Sequence, residues 1–306
     1  MRKTGKDSDV KKGTLYICAT PIGNLKDITL RALEYLKEAD YIAVENIDRS
    51  RKLFHYYGIK TPLISFRESN RDKKSAEIIQ KLKDDARIVL ISDAGMPLIS
   101  DPGRYLLNRL LEEGIPYTVL PGPSAVLTAL VISGFPGDKF VFWGFLSRNR
   151  AVLEKELESI AKEKKAVIAF ESPHRLIKTL EKAKEILQGR EIAVCRELTK
   201  KFEEVRRGSA AQLLHHYYDT PPRGEITLVF SPQDENNGVG EEKKTSNELE
   251  FLKEECKRKL LQAIDEGNLP SEAVKKVASS TPLSKNEVYA ILLQLKRKGI
   301  IKKHKR

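Results

Sequence analysis

Residues 92–103 read Ser-Asp-Ala-Gly-Met-Pro-Leu-Ile-Ser-Asp-Pro-Gly, directly after the apolar run that ends at Ile91. This loop sets Asp93, Asp101 and two serines on a chain bent by Gly and Pro, around an apolar Leu98-Ile99 pair. Gly has no Cβ, so backbone N–H and C=O groups at Gly23, Gly95, Gly103 and Gly122 can approach a bound molecule closely. Pro21, Pro97, Pro102, Pro121 and Pro123 fix φ and hold the same loops in shape. The chemistry such loops suit is recognition of a small ligand through backbone groups and apolar contact. In any one loop, Asx-turns at Asp93 and Asp101 and a helix cap at Ser124 are the simpler uses. Their recurrence in several loops along one predicted edge points to a site. Three carboxylates, Glu45, Glu171 and Glu197, follow strand-like runs and are candidates to accept a proton. Each is equally suited to pairing with a nearby Arg.

Other chemistries lack their residues. No GxxxxGK[ST] loop is present for a nucleoside triphosphate, no GxGxxG opens the first helix, and no Ser sits in a GxSxG elbow. His55, His174, His215, His216 and His304 have no ligand-like spacing with Cys or acids, so no metal is expected. Cys18, Cys195 and Cys256 are far apart, and the first two lie in apolar runs that suit core packing.

The elements that must position these loops alternate. TLYICA, YIAV, PLISF, RIVLI and YTVL read as strands, separated by helical patterns near 27–38, 49–57, 72–84 and 103–113, with another near 123–133. Strand and helix in alternation make a mainly parallel sheet covered on both faces. VFWGF, AVIAF, EIAVC and EITLVF form a second set, with helices near 149–163, 173–187 and 208–218, and less strict alternation predicts a partly antiparallel sheet. In open α/β sheets ligands bind at the carboxyl ends of strands. The unusual loops follow strands in that way: ATPIGNL, ENIDRSRK, FRESN, SDAGMPLISDPG and PGPSA in the first set, ESPHR and RELTK in the second.

The expected organisation is α/β: a disordered basic arm (1–13), an N-terminal α/β domain (14–134), a second α/β domain (135–230), a polar linker (231–247) and an all-α C-terminal module (248–306) resembling a helix-turn-helix. Forty per cent apolar content supports a sizeable core. No stretch approaches the roughly 18–20 apolar residues of a membrane span, and the N-terminus lacks a signal-peptide apolar segment, so a cytoplasmic place is expected. Fifty-five basic against 43 acidic side chains give +12, which favours a polyanionic partner. Segment 246–306 carries 14 basic against 8 acidic residues, half of that net charge.

Together ATPIGNLxDITLRAL, SDAGMPLISDPG, PGPSAxLTAL, ESPHRL, RELTKxFEE and RGE resemble the ribosomal RNA small subunit methyltransferase I family of the tetrapyrrole methylase superfamily, from about Gly13 to Phe230. The resemblance implies two α/β domains with S-adenosylmethionine in the cleft between them, in a homodimer. It implies methyl transfer to the ribose 2′-oxygen of a cytidine in the decoding region of 16S rRNA, within the small ribosomal subunit. Carried over by position, the cofactor loops are Pro21, Ile22 and Gly23; Asp93, Ala94, Gly95, Leu98 and Ile99; and Ser124 with Ala125. Phe170, Leu198 and Gly224 close the pocket from the second domain. Two places depart from the family pattern: Asn46-Ile47-Asp48 replaces D-T-R after Glu45, and Arg67 stands where His is usual.

Affinity for RNA rests mainly on phosphate contacts. Candidates are Arg49, Arg51, Lys52, Arg148, Arg150 and Arg175 near the cleft, and Lys296, Arg297 and Lys298 on the tail. Two other readings stay open. One is a methylase of a tetrapyrrole or other small molecule, which would have little use for the basic tail. The other is a DNA-binding regulator with a metabolite-sensing α/β body, whose last helix offers few side chains suited to base edges.

Overall fold

The computed structural model describes residues 11–100, 103–233, 241–266, 268–281 and 285–297, in two compact units, Met1–Gln233 and Asp234–Arg306. The first half of the larger unit runs β1 (Leu15–Cys18), α1 (Leu30–Glu38), β2 (Tyr41–Val44), α2 (Ile47–Tyr57), β3 (Leu63–Ser65), α3 (Arg71–Lys83), β4 (Ile88–Ile91), α4 (Arg104–Glu112), β5 (Tyr117–Leu120) and α5 (Ala125–Ser133). Its five strands form one parallel sheet in the order β3-β2-β4-β1-β5. The central strands are buried on both faces, which is why they read as unbroken apolar runs. Tyr16 and Cys18 pack with Tyr35, Leu36, Leu53 and Phe54 of α1 and α2. Their neighbours Leu15 and Ile17 pack with Ile78, Leu82, Leu106 and Leu110 of α3 and α4. Adjacent β1 and β4 therefore send their following helices to opposite faces, and a crevice opens beyond their carboxyl ends.

The second half adds β6 (Phe140–Phe145), α6 (Arg150–Lys162), β7 (Ala166–Glu171), α7 (Pro173–Ile186), β8 (Ile192–Arg196), β9 (Glu204–Gly208), α8 (Ala210–Asp219) and β10 (Ile226–Phe230). The sheet order is β6-β7-β10-β8-β9, parallel only between β6 and β7. The antiparallel β10 starts where β7 and β8 end, so Gly224 and Glu225 meet the ESPHR and RELTK loops. One face is covered by α6, α7 and α8, with Leu153, Leu157, Leu176, Leu180 and Leu213 in its core. The other is covered by α5, whose Val126, Ala129 and Leu130 pack against Ile168, Ala193 and Val229. Residues 123–133, grouped with the first domain by their place in the sequence, thus pack on the second sheet.

The sequence reading missed β9. EVRRG has a single apolar interior residue; it is an edge strand held by backbone pairing with β8 and by Arg196 on Glu204 at 2.9 Å. In the smaller unit, α9 (Glu241–Asp265), α10 (Pro270–Ala278) and α11 (Lys285–Arg297) enclose Cys256, Leu260, Val274, Val277, Ile291 and Leu292. The polar run expected as linker to 247 is helical from Glu241, where two Glu and two Lys favour helix despite their polarity.

Candidate ligand cavity

The loops after β1 and β4 lock together first. Thr20 and Gly95 exchange two backbone hydrogen bonds of 2.9 Å, and the Thr20 hydroxyl donates to the Ser92 carbonyl at 3.2 Å. Gly95 supplies φ +76° for that bridge, but Leu98 and Ser100 hold φ of +74° and +67° without being glycine. Non-Gly residues in this region carry a cost that only a well-determined surround can hold, and they concentrate at functional sites. Glu197 and Thr199, in the facing loop after β8, share the feature at +53° and +64°.

A cavity of about 360 Å³ lies among these loops, within the range of small-molecule sites. It gathers ten of the thirteen expected cofactor residues: Ile22, Asp93, Ala94, Gly95, Ile99, Ser124, Ala125, Phe170, Leu198 and Gly224. Pro21, Gly23 and Leu98 do not line it. Gly23 lets the two halves touch: a Cβ there would lie 2.5 Å from Lys200 Cγ and 2.7 Å from the Leu198 carbonyl. The Asn24 N–H donates to Thr199 Oγ1 at 3.0 Å beside it. Leu98 turns back against Gly103. Ser124 caps α5 through the Leu127 N–H and lines the cavity as well. Asp101 and Pro102 lie outside the described residues.

The lining also takes in residues the sequence reading passed over, among them Met96, Phe145, Cys195, Glu225 and Thr227. Phe145 ends β6, so the carboxyl-end rule applied to that strand would have found it. Cys195, expected in the core, is buried, and burial pushes its thiol up to about 12, so it is an inert wall. The charged lining residues are Arg49 against Asp93, Glu171 and Glu225, a negative balance in a largely apolar wall. Among the described residues no cluster of three or more His, Cys, Asp or Glu is placed to hold a metal ion.

Asp93 is the central polar group. Its Oδ2 accepts from Arg49 at 3.0 Å, while the buried Oδ1 has no partner. Asn46 accounts for the approach of Arg49: its side chain caps α2 by accepting from the Asp48 and Arg49 N–H groups at 3.0 and 3.4 Å. Arg67, the other departure, donates to the Glu45 carbonyl at 3.1 Å. The Glu45 carboxyl is raised above its ordinary value, first by burial and then by Asp93, against the opposing pull of Arg49 and Arg67.

The three proton-acceptor candidates separate. Glu171 is buried and committed: it accepts from Thr179 Oγ1 at 2.5 Å and the Ser172 N–H at 2.7 Å, with Arg175 at 3.4 Å. Glu197 accepts from Lys200 at 2.7 Å and the Glu225 N–H at 3.0 Å, beneath Gly224, where a Cβ would collide with its carboxylate. Burial works against its ionisation, but those donors outweigh it and hold the carboxyl below the usual range. Glu45 accepts no hydrogen bond through its carboxylate among the described residues.

Of the cations expected to meet RNA, Arg49 is on Asp93, Arg51 pairs with Asp48 at 2.9 Å, and Arg150 with Glu154 at 3.3 Å. Arg175 donates to the Leu146 and Ser147 carbonyls at 3.0 and 2.5 Å. Lys52 and Arg148 are exposed. Lys296 and Arg297 fall on α11, but their side chains, like Lys298, lie outside the described residues.

Residues 14–214 match the family model of tetrapyrrole (corrin/porphyrin) methylases. The chain is 42% identical over 277 residues to ribosomal RNA small subunit methyltransferase I of Bacillus subtilis, covering 90% of this chain and 93% of that protein. It is 46% identical over 219 residues to the Thermotoga maritima protein of the same name, covering 72% and 98%. Among solved structures it resembles a cobalt precorrin-4 methyltransferase (TM-score 0.58, 16% identity, covering 72% of this chain and 95% of that one). A uroporphyrin-III-C-methyltransferase from Thermus thermophilus is similar at TM-score 0.52 and 19% identity, covering 71% and 94%. The likeness to these structures is one of fold, and the closer relatives narrow it: the chain belongs to the tetrapyrrole methylase family and, within it, to the ribosomal RNA small subunit methyltransferase I family.

Proposed function

We propose that the cavity binds S-adenosylmethionine and that the protein methylates the ribose 2′-oxygen of a cytidine in the decoding region of 16S rRNA, in the small subunit, in the cytoplasm. The observation that carries the cofactor assignment is the unpartnered, buried Asp93 Oδ1 in a wall whose net charge is negative. A buried acceptor without a donor is costly, and an adenosine or amino-acid N–H or O–H supplies one. The acidic, mostly apolar lining suits a cationic sulfonium. The rRNA assignment draws on the names of the relatives, and the ribose 2′-oxygen on the family resemblance.

When bound, S-adenosylmethionine supplies an activated methyl group on a positive sulfur, which leaves as a thioether. The chain's part is placement. Asp93, the Thr20–Gly95 bridge and the Leu198 loop fix the ligand between the halves. Holding donor carbon and acceptor oxygen in line can supply roughly 7–11 kcal/mol of the barrier. The hydroxyl proton goes through a water to Glu45, which stands near Asp93 but outside the cavity lining, since the other two carboxylates are committed to structural donors. Its raised affinity for protons makes Glu45 a better base than an ordinary surface carboxylate.

A homodimer accompanies this reading. Leu127 and Val131 of α5 are 54% and 81% exposed, and Tyr117 and Val119 on edge strand β5 and Phe140 on edge strand β6 are exposed as well. Exposed large apolar side chains of this kind are what contact with a second copy would cover. No described helix is long and apolar enough to cross a membrane. Incubation of the protein and labelled cofactor with small ribosomal subunits, free 16S rRNA and a porphyrinoid tests the function. Label on the ribose of one rRNA cytidine is expected; label on a porphyrinoid carbon would overturn the substrate assignment.

A further inference from the structure

Behind the cavity wall lies a second and larger depression, about 1040 Å³, on the outer face of the second sheet between α6, α7 and α8. Its floor is apolar, with Leu153 and Leu214, and its rim carries six cations: Arg148, Arg150, Arg175, Lys178, Lys182 and Lys184. Two carboxylates line the groove with them, and two more act from outside it: Glu154 pairs with Arg150 at 3.3 Å and Lys182 at 3.1 Å, and Glu171 with Arg175 at 3.4 Å. Glu181 accepts from the Tyr218 hydroxyl at 2.5 Å, and Glu185 pairs with Lys182 at 2.8 Å. Arg148, Lys178 and Lys184 are exposed and have no acidic partner among the described residues. Three uncompensated cations over an apolar floor form a surface for a chain of phosphates rather than for one small anion.

The groove shares a wall with the cavity. Glu171 lines the cavity, while the two side chains that hold its carboxylate, Thr179 and Arg175, line the groove. Arg175 also pins Leu146 and Ser147, so the strand-end loops and the groove rim form one polar partition. A nucleotide at the cavity mouth would have its flanking backbone within reach of the groove.

We propose that this groove receives the phosphate backbone of the rRNA strand flanking the methylated nucleotide, with Arg148, Lys178 and Lys184 as its phosphate contacts. The proposal rests on the rRNA reading above. Each neutralised phosphate on a single strand contributes ~0.7 to the slope of log affinity against log salt. Lys178→Gln with Lys184→Gln removes two contacts, which at 0.1 M salt is about a 25-fold loss of affinity. The test measures methyl transfer to small subunits across salt concentrations, with cofactor affinity by calorimetry. Expected are a KM for subunits raised roughly 25-fold at 0.1 M salt and a salt slope shallower by about 1.4, with kcat and cofactor affinity unchanged. Arg148→Gln, in a loop outside the helices, should lower the slope by about 0.7 on its own. An unchanged KM and slope would overturn the proposal. So would an equal effect from the exposed pair Lys37→Gln and Lys60→Gln on the first half, or a change confined to cofactor affinity. Absence of transfer by the wild-type protein would instead remove the rRNA reading, and the groove assignment with it.

Discussion

Replacing Asp93 with Asn keeps the side chain's shape and removes its charge. Two interactions are at stake, and their magnitudes differ. The ion pair to Arg49 joins an Arg side chain 68% exposed to an Asp 18% exposed. Solvent screens such a pair to about 1 kcal/mol or less. For a chain of this length that is a fall of roughly 2–4 °C in Tm at most. The buried Oδ1 is different: an Asn whose one carbonyl oxygen stays on Arg49 turns an N–H towards the ligand donor, and the hydrogen bond so lost, from a ligand to a charged, desolvated acceptor, is worth about 1.5–3 kcal/mol. That converts to a loss of roughly 10- to 150-fold in cofactor affinity. Asp93→Asn should therefore leave the protein nearly as stable and weaken S-adenosylmethionine binding by one to two orders of magnitude. Arg49→Gln separates the contributions, because it removes the same ion pair and leaves Oδ1 in place; its stability should match while its affinity changes far less. Calorimetric titration with the cofactor product, paired with thermal melts, reads both quantities. Equal losses of affinity in the two variants would mean that Asp93 serves only to hold Arg49, and unchanged affinity in Asp93→Asn would refute the reasoning outright.

Glu45→Gln should lower kcat by roughly 10²- to 10⁴-fold with cofactor affinity kept. In the wild type, activity should rise with pH through the raised Glu45 carboxyl, because only the ionised form accepts the proton. Asp93→Asn should move that limb to lower pH by removing a neighbouring negative charge. Gly23→Ala forces a Cβ into the 198–200 loop and should cost about 1–3 kcal/mol of stability, with weakened cofactor binding; a melt and affinity like wild type would show the two halves do not depend on this contact. Thr179→Val leaves the buried Glu171 carboxylate short of a donor and should destabilise by about 1–3 kcal/mol in chemical denaturation. The Asp40 carboxyl is held below its ordinary value, first by its hydrogen bond from the Arg87 side chain. It therefore adds stability above the unfolded carboxylate pKa of about 3.9, and the loss in Asp40→Asn should vanish as pH falls below that range.

The parallel sheet was legible because its strands are buried on both faces, so the apolar runs ending at Cys18, Val44 and Ile91 stand out from their surroundings. The carboxyl-end rule marked the loops that carry Gly95 and Ser124, while Phe170, Leu198 and Gly224 came from the family resemblance. Long-range packing was out of reach of local pattern. Helix α5 is apolar almost all round, so no stripe marks the face that meets the second sheet or the face that leaves Leu127 and Val131 exposed. EVRRG gave no strand signal because an edge strand is held by backbone hydrogen bonds, not by buried side chains. The three acidic candidates looked alike in sequence; only the positions of Thr179, Arg175 and Lys200 in space showed which were already committed. The basic groove was legible only in part: Arg148, Arg150 and Arg175 stood out as RNA candidates, while Lys178, Lys182 and Lys184 of α7 join them only in space.

The most direct test is a crystal structure of the protein with S-adenosylhomocysteine bound. The ligand should lie in the cavity between the Gly95 and Leu198 loops, with one of its N–H or O–H groups on Asp93 Oδ1. A ligand seated outside that cavity, or one inside it that leaves Asp93 Oδ1 without a donor, would contradict the account.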